Sequence, residues 1–235
     1  MKRICLWSGP RNISTALMYS FAQRSDTRVY DEPLYAHYLS RTEAQSYHPG
    51  AKEVLASMEN DGEKVVEMML GPHDRPVAFF KHMTHHLVAL DWSFMRHTIN
   101  VLLTRNPVDM LPSYARAVQN PTMQDVGYES HVALKDFLEA QGLRRPFVLD
   151  SRQLQNNPSQ KLGELCEYAG IPFDENMLHW QAGPRPEDGV WAPYWYANVH
   201  ASTRFLPYQP KEEPFPERLK PLLEQCLPLY QDLIA

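Results

Sequence analysis

The sequence predicts an α/β domain with a central parallel β-sheet flanked by helices. Short, nearly continuously apolar segments rich in β-forming residues alternate with longer segments of helical character. Strands covered by helices on both faces have this composition, and the alternation is typical of parallel sheets with crossover connections. The 235 residues are 43% hydrophobic, and they contain no internal repeat and no linker. We therefore expect a single domain over residues 1–235.

The pattern of apolar residues predicts five strands and seven helices. The expected strands are residues 3–8, 27–31, 77–81, 100–105 and 146–150. The expected helices are residues 14–24, 51–60, 83–95, 108–119, 131–141, 158–170 and 221–233. Gly170 stands where a helix C-terminus favours glycine, directly before Ile-Pro.

The chain changes character from about residue 175 onward. Ten of the 20 prolines lie beyond Gly170, and an aromatic run, WAPYWY, occupies residues 191–196. Proline removes a backbone donor, so this density of prolines indicates an irregular segment that wraps the domain rather than a second sheet.

Charge and hydropathy exclude several classes of protein. The net charge of −5 argues against a nucleic-acid partner. No apolar stretch approaches the roughly 18 residues that span a bilayer, and the N-terminal apolar run is too short for a secretion signal. Cys5, Cys166 and Cys226 lack the spacing of a disulfide framework or a zinc site. We expect a cytoplasmic protein without a metal, and the sequence leaves its oligomeric state open.

The loop after the first expected strand has the features of an anion site. The strand ends at Ser8, a Gly-Pro turn follows, and a helix begins near Ser14. Such a loop presents backbone N–H groups and the positive end of a helix dipole to a phosphate or sulfate. Arg11 adds a charge, and Ser14 and Thr15 add hydroxyl groups. A Walker A motif would require Gly and Lys where Ser14 and Thr15 stand, and an ordinary capped βα turn is the alternative.

A second loop, after the fourth expected strand, carries two further donors. Arg105 leaves the strand, Asn106 and Pro107 suit a helix start, and Ser113 lies two turns into the helix. Taken alone, an arginine at a strand end is more often part of a surface ion pair. Both donors could converge on one anionic group.

Together the two loops resemble the sulfotransferase family that uses 3′-phosphoadenosine 5′-phosphosulfate (PAPS). PRNIST at residues 10–15 resembles the family's 5′-phosphosulfate loop, P-[KR]-S-G-[ST]-T. TRNP at residues 104–107, with Asp109 and Ser113, resembles its 3′-phosphate motif. Similarity of order and spacing extends over roughly residues 1–175. Asn12 and Ile13 replace Ser-Gly of the pattern, isoleucine adopts a positive φ only at a cost, and the family's C-terminal RKGxxG loop is absent.

The resemblance implies a sulfotransferase branch of the P-loop folds and a set of donor-binding residues. Arg11 would stabilise charge on the bridging oxygen, and Arg105 with Ser113 would hold the 3′-phosphate. The implied donor-binding residues are Pro10, Arg11, Asn12, Ile13, Ser14, Thr15, Arg105 and Ser113.

The sequence offers candidates for the base that removes the acceptor proton at the ends of two strands, and it does not decide between them. Glu32 follows the second expected strand, where several family members carry a glutamate before proline. Lys81 and the histidines His82 and His85 (with His86 beside them) follow the third, near the family's Lys-Thr-His. Lys81 would supply a second cation near the sulfuryl oxygens. Helix capping by Glu32 and surface positions for the histidines are the structural alternatives, and a zinc site is disfavoured.

The sequence thus predicts sulfuryl transfer from PAPS to a hydroxyl or amine of a small molecule. A non-catalytic or divergent nucleotide-binding protein is the alternative, and a small-molecule kinase is a weaker one. The aromatic run at residues 191–196 is expected to pack in the core or form a lid. It could also form one wall of a pocket for a planar or quaternary-ammonium acceptor.

Overall fold

A computed structural model of the protein describes residues 1–210 and 213–235. Its centre is a five-stranded sheet in which every adjacent pair is parallel, in the order β2-β3-β1-β4-β5. The strands are β1 (Lys2–Ser8), β2 (Thr27–Asp31), β3 (Val77–Met83), β4 (Ile99–Thr104) and β5 (Phe147–Asp150). The α/β fold class and all five expected strands are confirmed.

Twelve α-helices surround the sheet in the described part of the chain. They are α1 (Ser14–Phe21), α2 (Tyr35–Arg41), α3 (Ala51–Ser57), α4 (Gly62–Leu70), α5 (Pro107–Tyr114), α6 (Met123–Val126), α7 (Tyr128–Ala140), α8 (Ser151–Asn156), α9 (Pro158–Ala169), α10 (Ala192–Trp195), α11 (Ala197–His200) and α12 (Lys220–Ile234). Six of the seven expected helices are present. None of the described helices combines the length and apolar character that crossing a bilayer requires.

The expected helix at residues 83–95 is wrong. β3 continues to Met83, which pairs with Ser8 of β1, and only 3-10 turns follow at Thr84–His86 and Trp92–His97. Pairing with Trp7 and Ser8 of β1 gives His82 and Met83 the backbone partners that a helix would otherwise supply. The other six helices, α2, α4, α6, α8, α10 and α11, were not expected from the sequence.

The two faces of the sheet are buried in separate layers. Along β1, Ile4 and Leu6 face a layer that includes Leu17 of α1, while Cys5 and Trp7 face a layer with Met110 of α5. The chain thus leaves β1 towards one face and leaves β4 towards the other. The carboxyl ends of these neighbouring strands therefore border a crevice, where ligands of doubly wound folds bind.

The segment after α9 covers the carboxyl end of the sheet. Among its described residues before α12, regular structure consists of short helices and one isolated bridge between His179 and Arg204. Trp191 and Tyr196 pack in a third buried cluster with Tyr35 and Leu39 of α2. The aromatic run therefore belongs to the wall of the crevice and to the core at once.

Candidate active site

A cavity of about 790 Å³ lies at the carboxyl end of the sheet. The loop at residues 9–16, Glu32, Lys81 and Arg105 reach it from the ends of four strands. The segment at residues 191–206 closes it from the side. Every donor-binding residue expected from the sequence lines this cavity: Pro10, Arg11, Asn12, Ile13, Ser14, Thr15, Arg105 and Ser113.

The loop after β1 holds an unusual backbone. Arg11 has φ 59° and Ile13 has φ 62°, so both lie in the left-handed region. This conformation costs roughly 1–2 kcal/mol for a residue with a Cβ. Asn12 donates from Nδ2 to the Leu103 carbonyl at 2.9 Å and fixes the loop on β4. A Cβ at Gly9 would lie 3.0 Å from the Val126 carbonyl oxygen, so any larger residue there would press against the backbone of α6.

The start of α1 leaves donors available to a ligand. No side chain among the described residues caps this helix at Ile13. The first-turn N–H groups of a helix have no partner within the helix. They point into the end of the loop, where the helix dipole favours an anion.

The two basic loops contact each other. The Arg11 Nε donates to Ser113 Oγ at 3.2 Å, and the Arg105 Nη1 donates to the Arg11 carbonyl at 2.8 Å. Burial, and then the charges of Arg105 and Arg116, lower the pKa of Arg11. Like charges are therefore held together, which an anionic ligand would relieve.

Lys81 lies at the centre of a buried polar group. Its Nζ donates to Asp31 Oδ1 at 2.8 Å, to the Tyr196 hydroxyl at 2.7 Å, and to the Glu32 carboxylate. The Tyr196 hydroxyl donates to Asp31 Oδ2 at 2.7 Å, and the Gly189 N–H donates to the same oxygen at 3.2 Å. Burial alone would lower the pKa of Lys81, but the carboxylates outweigh it and raise that pKa well above its usual value.

Sequence reasoning missed Asp31 and Tyr196. Asp31 directly precedes Glu32 at the same strand end, so its position was an available signal. Tyr196 lies 165 residues further along the chain, and no local pattern links the two.

Glu32 faces the cavity beside this group. Burial raises its pKa, the Lys81 charge opposes that shift, and the Asp31 charge adds to it. The second carboxylate oxygen, Oε2, lies 4.0 Å from His86 Nε2. Glu32 also has a positive φ of 44°, which directs its side chain away from the regular course of β2. A carboxyl group with a raised pKa at a cavity wall is suited to accept a proton.

The histidines divide between the cavity and the core. His85 and His86 line the cavity, and burial lowers the pKa of His85 to about 4 and that of His86 well below its usual value. Both are therefore neutral near pH 7. The His86 ring stacks on Tyr35 and on Tyr38, with centroids 5.0 and 4.8 Å apart.

His82, a candidate base in the sequence, lies away from the cavity in the structure. Alternation along β3 sends His82 and Lys81 to opposite faces of the sheet. The His82 ring is fully buried and stacks on Trp7 with centroids 4.4 Å apart. Burial lowers its pKa to about 3, and it does not belong to the residues that line the cavity.

The described residues contain no group of three or more His, Cys, Asp or Glu side chains arranged to hold a metal ion. Cys5, Cys166 and Cys226 are buried and unbridged. Burial raises the pKa of each thiol, so these groups are poor nucleophiles.

The family model for a sulfotransferase domain matches residues 1–235. The fold is similar to the sulfotransferase domain of the Synechococcus PCC 7002 olefin synthase, with a TM-score of 0.58, 14% identity, and coverage of 96% of this chain and 95% of that one. It is also similar to a sulfotransferase from Alicyclobacillus acidocaldarius, with a TM-score of 0.56, 13% identity, and coverage of 99% and 94%. At these identities the likeness concerns the fold.

Two curated relatives from Arabidopsis thaliana are more similar in sequence. Branched-chain-amino-acid aminotransferase-like protein 2 is 42% identical over 99% of this chain and 41% of its own length. Branched-chain-amino-acid aminotransferase-like protein 1 is 44% identical over 97% of this chain and 40% of its own length. The chain thus spans about two fifths of each relative, and those names describe much longer proteins.

Proposed function

The chain belongs to the sulfotransferase domain family, and from that premise we propose that it transfers a sulfuryl group from PAPS to a hydroxyl or amine of a small molecule. Adenosine 3′,5′-bisphosphate would be the second product. The observation that carries this proposal is the direct contact between the two basic loops, Arg11 to Ser113 and Arg105 to the Arg11 carbonyl.

These loops suit a donor with two separate anionic groups. Backbone N–H groups of α1 with Ser14 and Thr15 would hold the 5′-phosphosulfate, and Arg105 with Ser113 would hold the 3′-phosphate. Because Arg11 bridges the two positions, it would face the oxygen that joins phosphorus and sulfur. Its guanidinium would stabilise the charge that this oxygen gains.

In the proposed reaction the acceptor oxygen or nitrogen attacks the sulfur atom. The bond between sulfur and the bridging oxygen breaks, and its electron pair stays on the phosphate. The acceptor proton passes to the Glu32 carboxylate, because that group lines the cavity and its pKa is raised. His85 and His86 remain the alternatives for this role.

Lys81 takes a different role in this proposal from the one that the resemblance implies. All three ammonium protons already have partners in Asp31, Glu32 and Tyr196. We therefore assign Lys81 to fixing Glu32, rather than to binding the sulfuryl oxygens directly.

Nucleotide binding tests the donor site. Adenosine 3′,5′-bisphosphate should raise the melting temperature more than AMP does, because only the former carries a 3′-phosphate. At 100 times its Kd a ligand stabilises the folded state by about 2.7 kcal/mol, or several degrees for a chain of this size. Arg105→Ala should remove most of the difference, while Arg96→Ala, at an exposed position outside the cavity, should preserve it. Equal shifts from the two nucleotides would contradict the 3′-phosphate assignment.

Turnover tests the reaction itself. Incubation with PAPS and a panel of phenols, alcohols and amines should release adenosine 3′,5′-bisphosphate in step with a sulfated acceptor. Tight binding of that nucleotide without transfer to any acceptor would instead support a non-catalytic nucleotide-binding protein.

A further inference from the structure

A second group of side chains lines the same cavity and takes no part in donor binding; of its members only His85 was named above, as an alternative proton acceptor. It consists of Asp125, Tyr47, Tyr114, His48 and His85, and we refer to it as the Asp125 pocket. Asp125 belongs to α6, and Tyr114 ends α5. Tyr47 and His48 belong to the loop between α2 and α3, and His85 follows β3, so four parts of the chain contribute to this pocket.

Asp125 is a half-buried carboxylate with no cationic partner among the described residues. Its Oδ2 accepts from the Thr122 N–H and from the Thr122 hydroxyl, each at 2.7 Å, and the first of these bonds is half of the capping box of α6. A capping role accounts for one oxygen. The carboxylate charge itself is left facing the cavity.

The rings around Asp125 are uncharged near neutral pH. Burial lowers the pKa of His85 to about 4, although the Asp125 charge opposes that shift. Burial likewise lowers the pKa of His48, again against Asp125. Neither imidazole therefore supplies the positive charge that a carboxylate in this setting would normally pair with.

Tyr47 and Tyr114 line the same cavity as the carboxylate. Burial raises the pKa of Tyr114, and the charge of Asp125 is the next cause of that rise. Tyr38 lies behind the pocket, with its ring centroid 5.8 Å from that of His48 and 5.0 Å from that of His85. Tyr47 is 63% exposed and lines the cavity, so its ring is accessible to a ligand.

One carboxylate among aromatic faces is the arrangement that binds an ammonium group. The charge attracts the cation, and the negative faces of the rings hold it while it loses water. The donor site is positively charged instead, because Arg11 and Arg105 line the cavity there. A ligand with a cationic end therefore has one favourable orientation, with that end away from the arginines.

We propose that the Asp125 pocket binds a protonated or quaternary ammonium group of the acceptor. This inference rests on the proposed function for the direction of the acceptor, whose hydroxyl would then reach Glu32. It excludes acceptors whose corresponding end is a carboxylate, and it disfavours neutral ones. The site is a binding site in its own right, so it is testable without turnover.

Binding of matched phenols tests the inference directly. Calorimetry with the protein alone should give a Kd for 4-(2-aminoethyl)phenol that is roughly tenfold lower than that for 4-ethylphenol, as one desolvated cation–aromatic contact requires. The anion 4-hydroxyphenylacetate should bind more weakly than either. Asp125→Asn keeps an oxygen for the Thr122 cap and removes the charge, so it should abolish most of the preference.

Two controls separate charge recognition from damage to the fold. Asp136→Asn removes an exposed carboxylate of α7 outside the cavity, and it should leave the preference intact. Tyr47→Phe should retain the preference because the ring remains, whereas Tyr47→Leu should reduce it. Tyr47 is exposed, so neither change should alter the melting temperature.

Equal affinity for the cationic and neutral phenols, or an undiminished preference in Asp125→Asn, would overturn the inference. The experiments distinguish failure of this inference from failure of the proposed function. Sulfate transfer without charge preference would refute only the Asp125 pocket, and charge-selective binding without transfer would refute only the sulfotransferase reaction.

Discussion

Replacement of Glu32 by glutamine tests the proposed proton acceptor. The glutamine side chain has the same shape and still offers an oxygen to Lys81, but it has no basicity near neutral pH. Loss of a general base should lower the transfer rate by about 10²- to 10⁴-fold. Because burial already disfavours the charged form of Glu32, a neutral amide should change the free energy of unfolding by only about 1 kcal/mol.

Single-turnover transfer from saturating PAPS isolates this step from binding and product release. The wild-type rate should fall as the pH is lowered through the pKa of Glu32, because only the carboxylate accepts a proton. That fall should begin above the usual glutamate value of about 4.3, since burial raises the pKa. The Glu32→Gln variant should lack this dependence and keep its affinity for adenosine 3′,5′-bisphosphate.

His85→Asn and His82→Asn are the matched controls. His85 lines the cavity and His82 does not, so His82→Asn should leave the single-turnover rate unchanged. A Glu32→Gln variant with more than half of the wild-type rate, together with an inactive His85→Asn, would refute the assignment and move the base to histidine.

Three further substitutions probe the neighbouring groups. Arg11→Ala should lower the single-turnover rate by about 10²-fold or more at saturating donor; an unchanged rate with a weaker donor Kd would make Arg11 a binding residue only. In urea unfolding, Ile13→Gly should be more stable than Ile13→Ala by about 1 kcal/mol, because φ at this position is 62°. If Ile13→Ala were instead the more stable variant, the loop would have relaxed from this conformation. Lys81→Met should lower the free energy of unfolding by about 3–5 kcal/mol at pH 7.5. The loss should be smaller at a pH below the raised pKa of Glu32, because a protonated Glu32 is uncharged and needs no cationic partner. Exposed Lys64→Met is the control in the same urea experiment, and a loss for Lys81→Met that does not depend on pH would argue against this pairing.

Local patterns in the sequence were sufficient for the strands and for the two basic loops. Buried parallel strands are short and apolar, and the cap at Asn106, whose side chain accepts from the Val108 N–H at 2.9 Å, was readable from Asn-Pro. The end of β3 was less accessible. Its last two residues, His82 and Met83, pair with residues of β1 that lie 75 positions earlier in the chain. No pattern within the neighbouring sequence indicates this pairing. The alternation that buries His82 depends on it.

The polar group around Lys81 could not be predicted for a related reason. Tyr196 comes from the proline-rich segment, which has no periodicity and therefore no face that a pattern could identify. Its position follows from packing of Trp191 and Tyr196 against Tyr35. Only the fold brings its hydroxyl to Asp31.

Backbone strain gives an independent indication of where the site lies. Among the described residues, four non-glycine residues have a positive φ: Arg11, Ile13, Glu32 and Ala89. Three of these line the cavity, and they include both charged groups that act on the reacting atoms in the proposed reaction. Such residues persist only where the surroundings hold them, as Asn12 does by its bond to the Leu103 carbonyl. The strained backbone at Arg11 and Glu32 therefore coincides with the two residues that the proposed transfer uses as cation and base, and it holds both at the cavity wall.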